Sequence, residues 1–92
     1  MRDFLFTVND ANGMHARPAG KLVSFLRNYQ CRVTVQANGK EADGRRLLSL
    51  LALGAVHGTQ LRFLLEGTDE EECLLALQAF CQEEWEGGAS HE

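Results

Sequence analysis

The chain has 92 residues, 45% of them hydrophobic and 24% charged, and a formal net charge of −4. That length suits one domain with a modest core, and the acidic balance offers no global field to recruit nucleic acid or an anionic membrane. Cys31, Cys73 and Cys81 are odd in number and widely spaced; they form neither a CxxC pair nor a zinc set, and they read as buried thiols in a reducing cytoplasm. The longest apolar run, Leu47 to Val56, is too short to span a bilayer and contains Gly54. The first ten residues have no long apolar stretch of the kind a secretory signal needs.

In chain order, Phe4, Phe6 and Val8 alternate with Leu5 and Thr7 as in a half-buried strand, and "NDANG" breaks it. From Ala16 to about Tyr29, Leu22, Val23, Leu26 and Tyr29 recur at helical spacing, with Pro18 in the first turn, where a missing amide donor does no harm. "CRVTVQANGK" predicts a strand carrying Val33 and Val35, an Asn38-Gly39 turn and a short return strand. Arg45 to Leu53 is predicted as a short apolar helix stopped by Gly54. "TQLRFLLEG" alternates again through Leu61, Phe63 and Leu65. Thr68 or Asp69 is placed to cap a last helix with an acidic first turn, on which Cys73, Leu74, Leu77 and Cys81 face inward. The order β-α-β-β-α-β-α predicts an α+β domain over residues 1–86, a four-stranded antiparallel sheet with three helices on one face. The tail 87–92, "GGASHE", is expected to be flexible.

The stretch "GMHARPAG", Gly13 to Gly20, concentrates the chemistry. His15 falls where a loop meets a helix N-terminus, whose unpaired N–H groups form a site for anions. Arg17 adds a fixed cation with donors matched to phosphate. Two positive fields beside the ring favour keeping a lone pair on His15 free for attack, and the same donors, at Ala16 and Arg17, with Pro18 completing the phosphate-binding stretch, would hold a phosphoryl group once received. The alternative on residue types alone is a histidine that merely caps the helix.

"NGMHARPAGKLVSFL" resembles the active-site segment of the HPr family, the histidine-containing phosphocarriers of the phosphoenolpyruvate-dependent sugar phosphotransferase system. The resemblance runs from about Phe6 to Phe80 without an obvious gap, with Gly13, His15, Ala16, Arg17, Pro18, Gly39, Lys40, Leu53, Gly54, Gly58, Gly67 and Asp69 at the family's positions. It implies an open-faced β-sandwich and phosphorylation of His15 on Nδ1, assisted by Arg17. It also implies enzyme I as donor and IIA domains as acceptors, in a cytoplasmic monomer that needs no cofactor or metal and does not insert in a membrane. The family's partners meet the second helix and the start of the first. Here that surface is expected to be Gly20, Arg46, Leu47, Leu48, Leu51 and Gly54, with Leu50 and Leu53 turned into the core. Many Gram-positive members begin the second helix with a serine that a regulatory kinase phosphorylates; Arg46 stands at that position, so control by phosphoserine there is closed to this chain.

Two other readings stay open: an HPr-like regulatory or paralogous domain acting by docking, including an HPr domain of a multiphosphoryl-transfer protein, and a hydrolase with His15 as nucleophile. The second would need a general base, and no carboxylate is evidently placed near His15. His57 reads as an exposed turn residue and His91 as part of the tail. Lys40 reads as ordinary hairpin chemistry and Glu83-Glu84 as a solvated face. Trp85 could pack or stay exposed.

Overall fold

Alternating apolar residues build the sheet. The computed structural model describes residues 1–86, and the tail 87–92 lies outside the described residues. Strands β1 (Arg2–Thr7), β2 (Arg32–Ala37), β3 (Lys40–Asp43) and β4 (Gln60–Glu66) lie in the order β1-β4-β2-β3, every neighbouring pair antiparallel. The register sets Phe4 against Phe63, Phe6 against Leu61 and Phe63 against Val35. Each strand therefore points one alternate set of side chains inward, and Phe6, Val33, Val35, Leu61, Phe63 and Leu65 are buried. Helices α1 (Ala16–Leu26), α2 (Leu47–Ala52) and α3 (Glu70–Cys81) close this core with Leu22, Val23, Leu26, Leu50, Leu53, Leu74 and Leu77. The α+β order and the antiparallel sheet are those expected.

The helix ends differ from expectation, and each difference has a long-range cause. α1 stops at Leu26, short of Tyr29, because the Arg45 guanidinium donates to the carbonyls of Leu26 at 2.8 Å and Tyr29 at 2.7 Å. Among described backbone donors the Leu26 carbonyl accepts only the Tyr29 N–H, at 3.1 Å in a tightened last turn, and a cation suits the negative end of the helix. Drawn to α1, Arg45 does not enter α2, which starts after Arg46 in extended conformation. At the other end of α2, the Asn38-Gly39 turn has positive φ at both residues, 54° and 75°. The Asn38 amide donates to the carbonyls of Leu53 at 2.9 Å and Gly54 at 3.3 Å, and Lys40 Nζ to that of Ala52 at 3.3 Å. The hairpin thus caps a helix.

Asp69 precedes α3 as expected, but its side chain does not cap that helix. Its carboxylate accepts the N–H groups of Gln30 and Cys31, both at 2.8 Å, and pins the start of β2 to the start of α3. Glu70 reaches back to the N–H of Gly67 at 3.0 Å. After Cys81 the chain widens into a π-helical segment, Gln82–Glu86, that turns Trp85 into the core at 1% exposure. The indole packs 5.8 Å from the ring of Phe6 and edge-on to Phe80 at 6.1 Å. Its Nε1 is buried with no hydrogen-bond partner among the described residues. Among those residues no helix is long and apolar enough to cross a membrane.

Candidate functional site

The loop between β1 and α1 is held from both sides. Val8 continues the pairing of β1, donating to the carbonyl of Thr59 at 2.9 Å and accepting from Gly58 at 2.8 Å. Asp10 then organises the turn: Oδ1 accepts the N–H of Asn12 at 2.8 Å, and its carbonyl accepts that of Gly13 at 2.9 Å. Gly13 has φ +66°, and a Cβ there would stand 2.4 Å from the carbonyl oxygen of Ala55, so only glycine fits. The buried Met14 donates to that same carbonyl at 3.0 Å. The loop therefore rests on the chain just after α2.

His15 follows as the N-cap residue of α1, with extended backbone at φ −102° and ψ −177°. Its carbonyl accepts the N–H of Ala19 at 3.1 Å. The side chain makes no capping hydrogen bond, so the ring is not spent on the helix, and it is 39% exposed. Ala16 and Arg17 are exposed, while Pro18 is buried. The first-turn amides of Ala16 and Arg17 have no helical acceptor, and they carry the positive end of the helix dipole. Arg17 makes no hydrogen bond or ion pair to a described residue, whereas Lys21, one turn on, pairs with Glu84 at 3.5 Å. Glu84 is thus half-buried and partnered, not merely solvated.

One expectation about the surroundings of His15 is corrected. A carboxylate does stand beside it: Asp10 Oδ2 is 3.8 Å from His15 Nε2. Four residues separate the two in sequence, and only the turn closed by Asn12 and Gly13 brings them together. The "DANG" pattern signals a turn but not where the carboxylate points.

The expected docking residues lie along the pair α1 and α2, which pack together. Met14 meets Ala55 beyond the end of α2, and Arg45, just before α2, meets Leu26 at the end of α1. The two helices are thereby antiparallel. Arg46 consequently stands toward the far end of α1 from Arg17, which lies in the first turn of that helix; Arg17 to Leu26 spans about 14 Å. Leu48 is 80% exposed and Leu47 36%, while Leu51 is half-buried and Leu50 and Leu53 are buried. Gly20 faces open space, where a Cβ would meet nothing, and Gly54 ends α2 at φ +70°. His57 is exposed in a turn.

Comparison with known proteins gives this geometry its family. The family described as the PTS HPr component phosphorylation site matches residues 3–83. The chain belongs to the PTS HPr family. It is 31% identical over 77 residues to the phosphocarrier protein HPr of Xylella fastidiosa, covering 84% of this chain and 86% of that protein. It is 39% identical over 75 residues to the multiphosphoryl transfer protein of Salmonella typhimurium, covering 78% of this chain but only 20% of that relative's length. In fold it is similar to the histidine-containing phosphocarrier protein of a Mycoplasma, with a TM-score of 0.85 over 89% of this chain and 93% of the other, at 23% identity. In this HPr domain His15, Ala16, Arg17 and Pro18 follow one another at the start of α1. Asp10, Arg45 and the caps from Asn38 and Lys40 are what sequence reasoning missed.

Proposed function

We propose that the protein is a phosphoryl carrier of the sugar phosphotransferase system, taking a phosphoryl group from phospho-enzyme I on His15 and passing it to IIA components. The observation that carries this reading is the His15 ring, exposed at the N-cap of α1 with its side chain uncommitted to the helix. Its Nδ1 lone pair attacks phosphorus, and the outward amides of the first turn with the Arg17 guanidinium receive the phosphoryl oxygens. A partly exposed ring suits exchange between proteins, since the partner supplies the remainder of the enclosure; hydrolysis would call for a positioned water and a general base. Leu47, Leu48 and Leu51, flanked by Arg17 and Arg46, present an apolar centre with basic edges to the partners. In this reading the domain works as a monomer in the cytoplasm.

Incubation with enzyme I and phosphoenolpyruvate tests it. The protein gains one acid-labile phosphoryl group, and His15→Ala abolishes the gain with an unchanged melt. No gain in mass would leave a docking module, and label retained in His15→Ala would move the acceptor to His57 or His91. The higher identity to the multiphosphoryl transfer protein, 39% against 31%, favours a second reading in which the domain serves such a multidomain relay. Transfer rates to a panel of IIA domains distinguish a dedicated acceptor from a general one.

A further inference from the structure

We propose that Asp10 is a positioning residue for His15: its carboxylate, held by the Asn12 N–H, faces Nε2 and so fixes the ring with Nε2 protonated and Nδ1 presented to the phosphoryl donor. This rests on the reading of His15 as the acceptor and adds to it the group that selects the nitrogen.

Asp10 is shaped for the task by its backbone. Oδ1 is engaged with Asn12 at 2.8 Å, which leaves Oδ2 directed at the imidazole 3.8 Å away. The loop around it cannot drift, because Gly13 is wedged against Ala55 and Met14 is bonded to it. Both side chains are partly exposed, Asp10 28% and His15 39%, so the pair contributes little to stability. What it contributes is orientation. An imidazole donates from one ring nitrogen and keeps a lone pair on the other, and a carboxylate at Nε2 favours the proton there. At 3.8 Å the contact is too long for a hydrogen bond, and such contacts commonly tighten as the reacting complex forms.

The transfer step balances with this arrangement. The Nδ1 lone pair forms the bond to phosphorus while the bond from phosphorus to the donor's leaving group breaks, its electron pair departing with that group. The Nε2 proton stays on the ring. Nδ1 has shared its pair, so positive charge spreads over the imidazole, and Asp10 lies beside the nitrogen where much of it resides. Onward transfer returns the pair to Nδ1 and the charge disappears. The α1 amides and Arg17 act on the phosphoryl oxygens from the other side, so ring and phosphoryl group each face charge of the opposite sign.

The test uses the whole chain labelled with nitrogen-15 at histidine. Ring nitrogen shifts report the tautomer of His15 at about pH 9, where an ordinary imidazole is neutral. Asp10→Asn removes the charge but keeps an acceptor for the Asn12 N–H, and Asp10→Ala removes both. In each variant the Nδ1–H share of His15 is expected to rise about two- to fivefold, the scale of one partly exposed ion pair. Phosphoryl uptake from enzyme I falls by a similar factor, and Asp10→Glu restores part of it. Unchanged tautomer ratios overturn the proposal, even if uptake slows, because Asp10 would then act through the loop alone. Failure of the wild type to accept a phosphoryl group on His15 would sink the carrier reading instead, and the tautomer measurement would still decide whether Asp10 governs the ring.

Discussion

Arg17 and Lys21 lie one turn apart on α1, yet their side chains have different surroundings. Lys21 is paired with Glu84, and Arg17 meets no partner among the described residues. Arg17 is therefore free to serve the proposed phosphoryl site, while Lys21 is already engaged. Arg17→Ala should slow phosphoryl uptake by one to two powers of ten, since a charge-assisted contact is worth about 1.5–3 kcal/mol and is realised here in the transition state. Lys21→Ala should change the rate much less. Single-turnover rates for the two variants make the comparison, and equal losses would reduce Arg17 to a solvated side chain.

At the scale of elements, two adjacent arginines part company. Arg45 holds the C-terminus of α1 through two carbonyls; Arg46 is exposed at the start of α2. Arg45→Ala should lower stability by about 1.5–3 kcal/mol, as the loss of charged hydrogen bonds does, with the melt as readout. Arg46→Glu should leave the melt nearly unchanged and weaken binding to enzyme I, most of all at low salt, where like-charge repulsion is least screened. The leucines of α2 divide in the same way. Leu50→Ala should cost about 2–5 kcal/mol of stability, and Leu48→Ala should weaken docking with little effect on the melt or on salt dependence. Titration of each variant with enzyme I at two salt concentrations, alongside thermal melts, checks all four.

These divisions mark where the sequence is legible. Period-two alternation in Phe4-Phe6-Val8 and Leu61-Phe63-Leu65 identifies strands because each side chain's face is decided locally. The segment Gly13 to Gly20 identifies the site because its residues are contiguous. The spacing of the α2 leucines separates Leu50 and Leu53 from Leu47, Leu48 and Leu51, as observed. Arg45 and Arg46 look alike in sequence, since their difference lies in carbonyls sixteen to nineteen residues away. Asp69 looks like a helix cap, and only the fold brings the amides of Gln30 and Cys31 to it. Trp85 is decided by a widened helical turn that no local pattern announces.

At the scale of the whole molecule, acid should loosen the fold through the start of α3. The N–H of Gln30, with that of Cys31, holds the Asp69 carboxyl below the ordinary carboxylate range, and the N–H of Gly67 does the same for Glu70, helped by the chain's amino terminus. The folded protein thus takes up these protons less readily than the unfolded chain. Their contribution is complete above the unfolded carboxyl range of about 4 and is lost as pH falls through the lower folded values. The melting temperature should be level near neutrality and fall steadily below about pH 4. Asp69→Asn should melt lower at neutral pH and lose part of that acid dependence.

The buried cysteines give the molecule an internal clock. Cys31, Cys73 and Cys81 are at most 1% exposed. Burial raises the thiol of Cys31, and burial with the neighbouring Cys31 pushes that of Cys73 up to about 12. Alkylating reagents attack thiolates, so a folded molecule offers them almost nothing, and each alkylation records a moment when a particular region opened. Cys31 and Cys73 lie on either side of the Asp69 clamp, whereas Cys81 is in the last turn of α3. Opening free energies differ from one region of a fold to another, so iodoacetamide should reach Cys31 and Cys73 at a shared rate and Cys81 at a different one. Peptide mass mapping over time reads the rates directly, and one common rate for all three would mean that the C-terminal helix leaves the sheet only when the entire domain unfolds.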